Sequence, residues 1–283
     1  MPGSRRGHGP LLTGKVRKDT LLALRILVAG DVVGRPGRQM VCDHLKPYAQ
    51  DNSIDFIIVN GENAAGGLGI TPAIADQFFE WGVDAITTGD HAWKKKDIIS
   101  LAESDVRLLR PANFPAKSPG RGHTCIKSRS GEPVGIVNLV GRIFMQPAEC
   151  PFKAADEALA ELEPLTKVIL VDMHAEATSE KIAMGWYLDG RASAVFGTHT
   201  HVQTADERVL PGGTAYITDI GMTGGHESVL GRKVQPVLKK FITNVPANFE
   251  VAPGDPRVSG AVITINTSTG KAECIERIVI KPS

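Results

Sequence analysis

Two histidines separated by one residue follow a short hydrophobic run in the second half of the chain. The run spans residues 192–196 and leads into Gly197-Thr198-His199-Thr200-His201. Such a run predicts a buried strand that ends where the histidines begin. Residues two apart on an extended segment face the same side, so His199 and His201 are expected to point into one pocket. Taken alone, the pair is explained equally well by two hydrogen-bonded loop histidines.

Four other hydrophobic runs also end in polar side chains that can bind a metal ion. Residues 25–29 lead into Gly30-Asp31, residues 55–59 into Asn60-Gly61-Glu62, residues 83–88 into Gly89-Asp90-His91, and residues 167–171 into Asp172-Met173-His174. Parallel strands gather their carboxyl ends at one edge of a sheet, where α/β proteins build their sites. The candidate ligands are therefore Asp31, Glu62, Asp90, His174, His199 and His201.

The chemistry of this set favours a pair of transition-metal ions. Carboxylates mixed with imidazoles, without thiolates, suit Mn, Fe or Zn better than Mg or Ca. Six side chains exceed what one tetrahedral ion needs but suffice for two ions that share a carboxylate. Two ions about 3.5–4 Å apart promote in-line displacement at phosphorus. The predicted reaction is phosphoester hydrolysis; the competing interpretation, satisfied turn residues at these strand ends, requires six independent coincidences.

Three residues are weaker candidates for contact with the substrate. Arg35 and Arg38 open the helix after the first strand, beside glycines that permit close approach to a phosphate. Solvated positions at a helix start explain these two arginines equally well. Residues 106–150 are predicted to form substrate-side loops, which include Asn113, and then a strand of a second sheet at 134–139.

The order of elements predicts one α/β domain over residues 25–283. Helices are expected from about 34 to 50, from Thr71-Pro72 to Gly82, and from 179 to 188, and a hairpin from 258 to 280. Residues 1–24 are rich in Arg, Lys, Gly and Pro and are predicted to be a disordered basic extension. RNA binding by this extension is a weaker alternative.

The overall composition narrows the class of protein. A formal net charge of +1 provides no global attraction to nucleic acid or to an anionic membrane. Hydrophobic runs stay well below the ~20 residues that span a bilayer. The four cysteines form no C-x-x-C pair, which indicates reduced thiols and a cytoplasmic protein. Oligomeric state is open, with a homo-oligomer as one option.

Several longer blocks resemble the bacterial YmdB-type family of the calcineurin-like metallophosphoesterase superfamily. The resemblance extends from about residue 25 to the end of the chain and rests on five blocks: residues 30–34, 60–65, 110–115, 172–181 and 197–206. It implies a four-layered α/β sandwich of two mixed β-sheets flanked by helices. It also implies a cytosolic two-metal phosphodiesterase, with Fe or Mn, that acts on 2′,3′-cyclic nucleotides or related RNA-derived phosphodiesters.

The resemblance also implies a role for each site residue. One ion would be held by Asp31, Glu62, Asn63 and His201, and the other by Glu62, Asp90, His174 and His199. His91 falls at the family's catalytic histidine, where it can protonate the departing ribose oxygen as a general acid.

One position departs from the family pattern, which has Gly-Asn-His where this chain has Gly89-Asp90-His91. An aspartate still binds metal but adds a negative charge, so we expect tighter ion binding and a weaker Lewis acid. Two alternatives stay open on the same scaffold. One is a metal-dependent nuclease or phosphomonoesterase. The other is a regulatory metal- and nucleotide-binding protein with weak activity.

Overall fold

The computed structural model describes residues 23–282, which form two packed β-sheets with helices on their outer faces. The strands are β1 (Ala23–Ala29), β2 (Asp31–Val32), β3 (Phe56–Asn60), β4 (Ala85–Thr87), β5 (His123–Lys127), β6 (Pro133–Val140), β7 (Ile169–His174), β8 (Ala194–Thr198), β9 (Arg208–Val209), β10 (Ala215–Ile217), β11 (Met222–Gly225), β12 (Pro256–Asn266) and β13 (Ala272–Ile280). The helices are α1 (Gly34–Met40), continued by a π-helical segment (Val41–Leu45) into α2 (Lys46–Asp51), then α3 (Pro72–Glu80), a 3₁₀ turn (Lys96–Ile98) before α4 (Ile99–Ser104), α5 (Pro151–Leu162), α6 (Thr178–Tyr187) and α7 (Val234–Thr243).

Both sheets are mixed. The first has the strand order β2-β11-β12-β1-β3-β4, with β13 also paired to β12. Within it, β1, β3 and β4 run parallel, whereas β12 is antiparallel to β1. The second sheet has the order β5-β6-β7-β8-β10-β9, parallel from β6 to β10, with antiparallel strands at both edges. The predicted hairpin is confirmed as β12 and β13.

Burial on both faces explains why the strand sequences are continuously apolar. Alternate residues of β1 point opposite ways, so Ile26 packs between the sheets while Leu27 packs against the outer helices. On the second sheet, Leu170 faces the space between the sheets and Val171 faces α5 and α6. The layers are therefore helix, sheet, sheet and helix, which confirms the predicted four-layered sandwich.

Strand β1 includes two residues that the sequence pattern placed outside the domain. Ala23 and Leu24, which we placed in the disordered extension, are the first residues of β1. Leu24 is 2% exposed in the core between the sheets, and this burial explains why the strand includes it. The remainder of the predicted extension, residues 1–22, lies outside the described residues. No helix within residues 23–282 is long and apolar enough to cross a membrane.

Candidate metal centre

Four side chains from both sheets meet where the parallel strands end. Glu62 follows β3, Asp90 follows β4, His174 is the last residue of β7, and His199 follows β8. One ligand atom from each of the four lies within 4.8 Å of the others. His174 Nε2 is 3.3 Å from Glu62 Oε2 and 3.2 Å from Asp90 Oδ1. Packing the two sheets face to face therefore assembles the cluster that the strand ends predicted.

A second group of ligand atoms lies on the other side of Glu62. His201 Nε2 is 3.8 Å from Asp31 Oδ1, and Asn63 Nδ2 is 3.3 Å from His201 Nε2. Asn63 also lies 3.1 Å from Glu62 Oε1. The six candidate ligands and Asn63 thus form two adjoining groups that share the Glu62 carboxylate.

The donor atoms fit the two metal ions that the family implies. Asp31 is fully buried, yet its Oδ1 has no hydrogen-bond partner. A buried carboxylate oxygen without a donor costs free energy, and a cation beside it would remove that cost. The buried carboxylate of Glu62 lies between the two groups, where a shared ligand would stand.

The backbone at the two histidines differs from the expectation. We predicted an extended segment, but β8 ends at Thr198, and His199 and His201 have φ angles of 96° and 64°. This left-handed region is unusual for residues other than glycine and is found at functional sites. The bend directs both rings to the centre, His199 toward Asp90 and His201 toward Asp31.

A buried ion pair holds this bend. Lys181 Nζ, on α6, donates to Asp219 Oδ2 over 2.7 Å. The same carboxylate oxygen accepts the backbone N–H of Thr200 at 3.2 Å and its hydroxyl at 2.7 Å. Because Thr200 stands between His199 and His201, the pair positions both rings. Lys181 and Asp219 are not among the predicted site residues, although Asp219 ends a hydrophobic run as the predicted ligands do.

The three histidines are oriented by partners on their second ring nitrogens, which sets the nitrogen that faces the centre. His199 Nε2 lies 3.2 Å from Glu176 Oε2, so its Nδ1 faces the cluster. His201 Nδ1 lies 3.1 Å from the carbonyl oxygen of Leu230, so its Nε2 faces Asp31.

The third histidine ends a buried hydrogen-bond chain. His174 Nδ1 is 2.9 Å from Thr198 Oγ1, and that hydroxyl donates to Asp172 Oδ1 over 2.6 Å. Asp172 Oδ2 accepts the Thr87 hydroxyl at 2.5 Å. Burial raises the pKa of Asp172 to about 6, against these hydroxyl bonds. Asp172 lies two residues before His174 on the same face of β7. That spacing could have identified Asp172 as a site residue from the sequence.

Burial and the facing charges shift the pKa values at the centre. Burial lowers the pKa of His174, but Glu62, Asp90 and Asp31 together raise it well above its ordinary value. For the Glu62 carboxylate, burial acts to raise the pKa, but the neighbouring His174 and His91 bring it well below its ordinary value. Burial, and then the neighbouring His174, lower the pKa of His199 to about 4. His199 is therefore a neutral imidazole at neutral pH, the form that binds metal.

A glycine is required beside the cluster. Gly89 ends the segment after β4, and a Cβ atom there would overlap the His174 ring and the carboxylate of Glu62. The glycine that precedes Asp90 in the sequence therefore provides space for the cluster.

His91 lies at the mouth of the centre. Its Nδ1 is 2.9 Å from Asn63 Oδ1 and 3.2 Å from Glu62 Oε1, and its side chain is 23% exposed. Its Nε2 is 3.6 Å from Asp90 Oδ2. Burial lowers the pKa of His91, but the hydrogen bond and the charge of Glu62 raise it above its ordinary value.

The three candidate substrate contacts are placed differently from one another. Arg38 Nη1 donates to the carbonyl oxygen of Ala64 at 2.5 Å, one residue beyond Asn63. Arg35 is exposed at a separate groove of about 740 Å³ along α1. Asn113 is 1% exposed, and its amide bonds the backbone of Val140 and Glu149. Asn113 is therefore buried, and its amide ties its own loop to the end of β6.

Two mixed sheets between helices, with carboxylates and imidazoles at the strand ends, define a metallophosphoesterase-type protein. Residues 27–278 match the model of the YmdB-like protein family, and the chain belongs to that family. It is 51% identical over 257 residues to the 2′,3′-cyclic-nucleotide 2′-phosphodiesterase of Bacillus subtilis, an alignment that covers 91% of this chain and 97% of that protein.

Solved structures with the same fold include two bacterial proteins. A hypothetical protein from Thermus thermophilus superimposes with a TM-score of 0.85 at 42% identity, over 92% of this chain and all of that one. A novel phosphatase from Mycoplasma pneumoniae also gives a TM-score of 0.85, at 32% identity over 92% of this chain and 94% of that one. The predicted family and fold class are thereby confirmed.

Proposed function

We propose that the protein is a metal-dependent phosphodiesterase that hydrolyses 2′,3′-cyclic nucleotides to 3′-nucleotides. The observation that carries this proposal is the cluster of Glu62, Asp90, His174 and His199, with the unpartnered oxygen of Asp31 beside it. The activity named for the Bacillus subtilis relative supplies the substrate class and the bond that breaks.

The proposed ligands fall into the two adjoining groups that share Glu62. In one group, His174 Nε2, His199 Nδ1 and an Asp90 oxygen surround the Glu62 carboxylate. In the other group, the residues around the Glu62 carboxylate are Asp31, Asn63 and His201. Asn63 would bind through its amide oxygen, which also lies 2.9 Å from His91 Nδ1. Mn or Fe are the proposed ions, with Zn as an alternative.

Two divalent ions bound there would polarise the phosphoryl oxygens and lower the pKa of water for in-line attack. The chain's own contribution to bond cleavage is His91. Its Nδ1 is held by Asn63 and Glu62, so Nε2 is available at the mouth to donate a proton. When a water oxygen adds to phosphorus and releases a proton to solvent, the bond from phosphorus to O2′ breaks, and O2′ takes the proton from His91 Nε2.

A rate measurement with matched histidine variants tests the proposal. The initial rate of 2′,3′-cyclic AMP hydrolysis is measured with Mn²⁺-loaded protein, with a chelator, and with His91→Ala. The control is His123→Ala, because His123 lies on β5 and contacts Glu161 on α5, apart from the centre. We expect activity that requires metal, a 3′-AMP product, and a loss in kcat of about 10²- to 10⁴-fold for His91→Ala only.

The other outcomes separate the alternatives. Bound metal without cleavage of the cyclic phosphodiester would favour a regulatory binding protein. Faster cleavage of RNA or of a phosphomonoester would favour the nuclease or phosphatase alternative. A His91→Ala variant as active as His123→Ala would remove His91 from the mechanism. Cytoplasmic location is part of the proposal, and it fits the four free cysteines.

A further inference from the structure

A cavity of about 410 Å³ opens directly beside the metal centre. Asp90 lines it, and Asp90 Oδ1 is 3.2 Å from His174 Nε2 in the cluster. The cavity and the centre therefore share the Asp90 side chain as a wall. Its volume lies within the range of pockets that bind small organic ligands.

Two aromatic side chains form one wall of the cavity. The ring centroids of Trp93 and Phe114 are 6.4 Å apart, with their planes tilted by 52°. Trp93 packs partly against the core beneath the first sheet, which holds its ring. Phe114 follows Asn113, whose buried amide ties this segment to Val140 at the end of β6. Both rings are thus positioned before any ligand arrives.

The remainder of the cavity lining is mixed, with two prolines and a valine beside polar side chains. Ser118 and Gln146 lie along it, and Lys94 is exposed at its opening. The cavity therefore combines an aromatic wall with hydrogen-bonding groups and a cation at the rim. A nucleobase has the complementary form, because its faces are flat π-surfaces and its edges carry donors and acceptors.

We propose that this cavity is the nucleobase subsite, in which Trp93 and Phe114 contact the base while the phosphate lies at the metal centre. This assignment rests on the proposed function. One ribose joins the base to the cyclic phosphate, so the base must lie beside the cluster, where the cavity shares Asp90. Aromatic side chains contact the flat π-face that every base has, so the subsite accepts all four bases. Purines bind more tightly because their faces are larger.

Equilibrium binding tests the subsite without relying on catalysis. Calorimetry with the Mn²⁺-loaded protein compares adenosine 3′-monophosphate with ribose 3-phosphate, which lacks the base. The variants are Trp93→Leu and Phe114→Leu, with Trp93→Phe to retain a ring. The control is Trp186→Leu on α6, since Trp186 is 51% exposed and does not line the cavity.

We expect Trp93→Leu to weaken adenosine 3′-monophosphate binding by about 5- to 150-fold, the usual range for loss of one base-stacking contact. Phe114→Leu should act in the same direction, whereas Trp93→Phe should recover most of the affinity. Ribose 3-phosphate should bind all variants alike. In hydrolysis of 2′,3′-cyclic AMP, the loss at Trp93 should appear in KM, with kcat unchanged.

The outcomes distinguish failure of the subsite from failure of the proposed reaction. If no cyclic phosphate is cleaved but nucleotide binding depends on Trp93, the subsite stands and the reaction is wrong. If cleavage occurs and the variants lose affinity for adenosine 3′-monophosphate and for ribose 3-phosphate by the same factor, the subsite is overturned. Unchanged nucleotide affinity in both leucine variants also overturns it.

Discussion

Replacing Lys181 by methionine should destabilise the protein and loosen the metal centre together. Lys181 and Asp219 are 1% and 0% exposed, and their charged atoms are 2.7 Å apart. Methionine keeps the length of the side chain but leaves the Asp219 carboxylate buried without its counter-charge. The other groups that donate hydrogen bonds to the Asp219 carboxylate are Thr200 and the backbone N–H of Gly221, and both are neutral.

The size of the effect follows from the burial of the pair. Removing one partner of a buried ion pair costs about 3–5 kcal/mol, a large fraction of the roughly 5–15 kcal/mol typical of a folded protein. Because Asp219 holds Thr200 between His199 and His201, the same change should weaken Mn²⁺ binding. Loss of groups that orient metal ligands usually weakens binding about 10- to 100-fold.

The assay pairs denaturation with calorimetry and uses a matched exposed lysine. Lys153→Met removes an ion pair with Glu157 that is 3.7 Å long, with side chains 78% and 66% exposed. It should cost no more than about 0.5 kcal/mol in urea and leave Mn²⁺ affinity unchanged. A Lys181→Met variant within about 1 kcal/mol of wild type, with wild-type Mn²⁺ affinity, would refute the reasoning.

Three further predictions concern the metal centre. Thr198→Val removes the hydroxyl between His174 Nδ1 and Asp172 Oδ1, so Mn²⁺ affinity by calorimetry should fall about 10- to 100-fold; an unchanged affinity contradicts this chain of bonds. Asp90→Asn removes a negative charge, so Mn²⁺ should bind less tightly while kcat at saturating Mn²⁺ rises; superimposable pH–rate profiles and equal affinities would sink that idea. Mn²⁺ at about 100 times its dissociation constant should stabilise the protein by about 2.7 kcal/mol, visible as a raised Tm that a chelator reverses and that His174→Ala lacks.

Much of the fold could be predicted from local pattern. The run from Phe56 to Val59 is apolar throughout because β3 is covered on both faces, and that pattern is legible without a structure. The helices α5 and α7 were not predicted, although both are amphipathic. The N-terminal limit was placed two residues late because Leu24 is buried against strands that come far later in the chain.

The site was predictable in composition but not in geometry. Polar residues that follow apolar runs identified the candidate ligands, but not the positive φ angles of His199 and His201. Those two residues flank Thr200, which bonds the carboxylate of Asp219, a residue distant in sequence. The same limit applies to Asn113, because its sequence motif did not show that its amide bonds Val140 at the end of β6.

By itself, the sequence determined that strands would end in carboxylates and imidazoles, because burial demands apolar runs and the side chains that break those runs must serve another purpose. Only the tertiary structure decided that Glu62 of the first sheet would meet His174 of the second, 3.3 Å apart. It alone decided that Trp93 and Phe114 would line a cavity beside them. The physical reason is that strand formation depends on near neighbours, whereas the packing of two sheets depends on contacts between residues far apart in the chain.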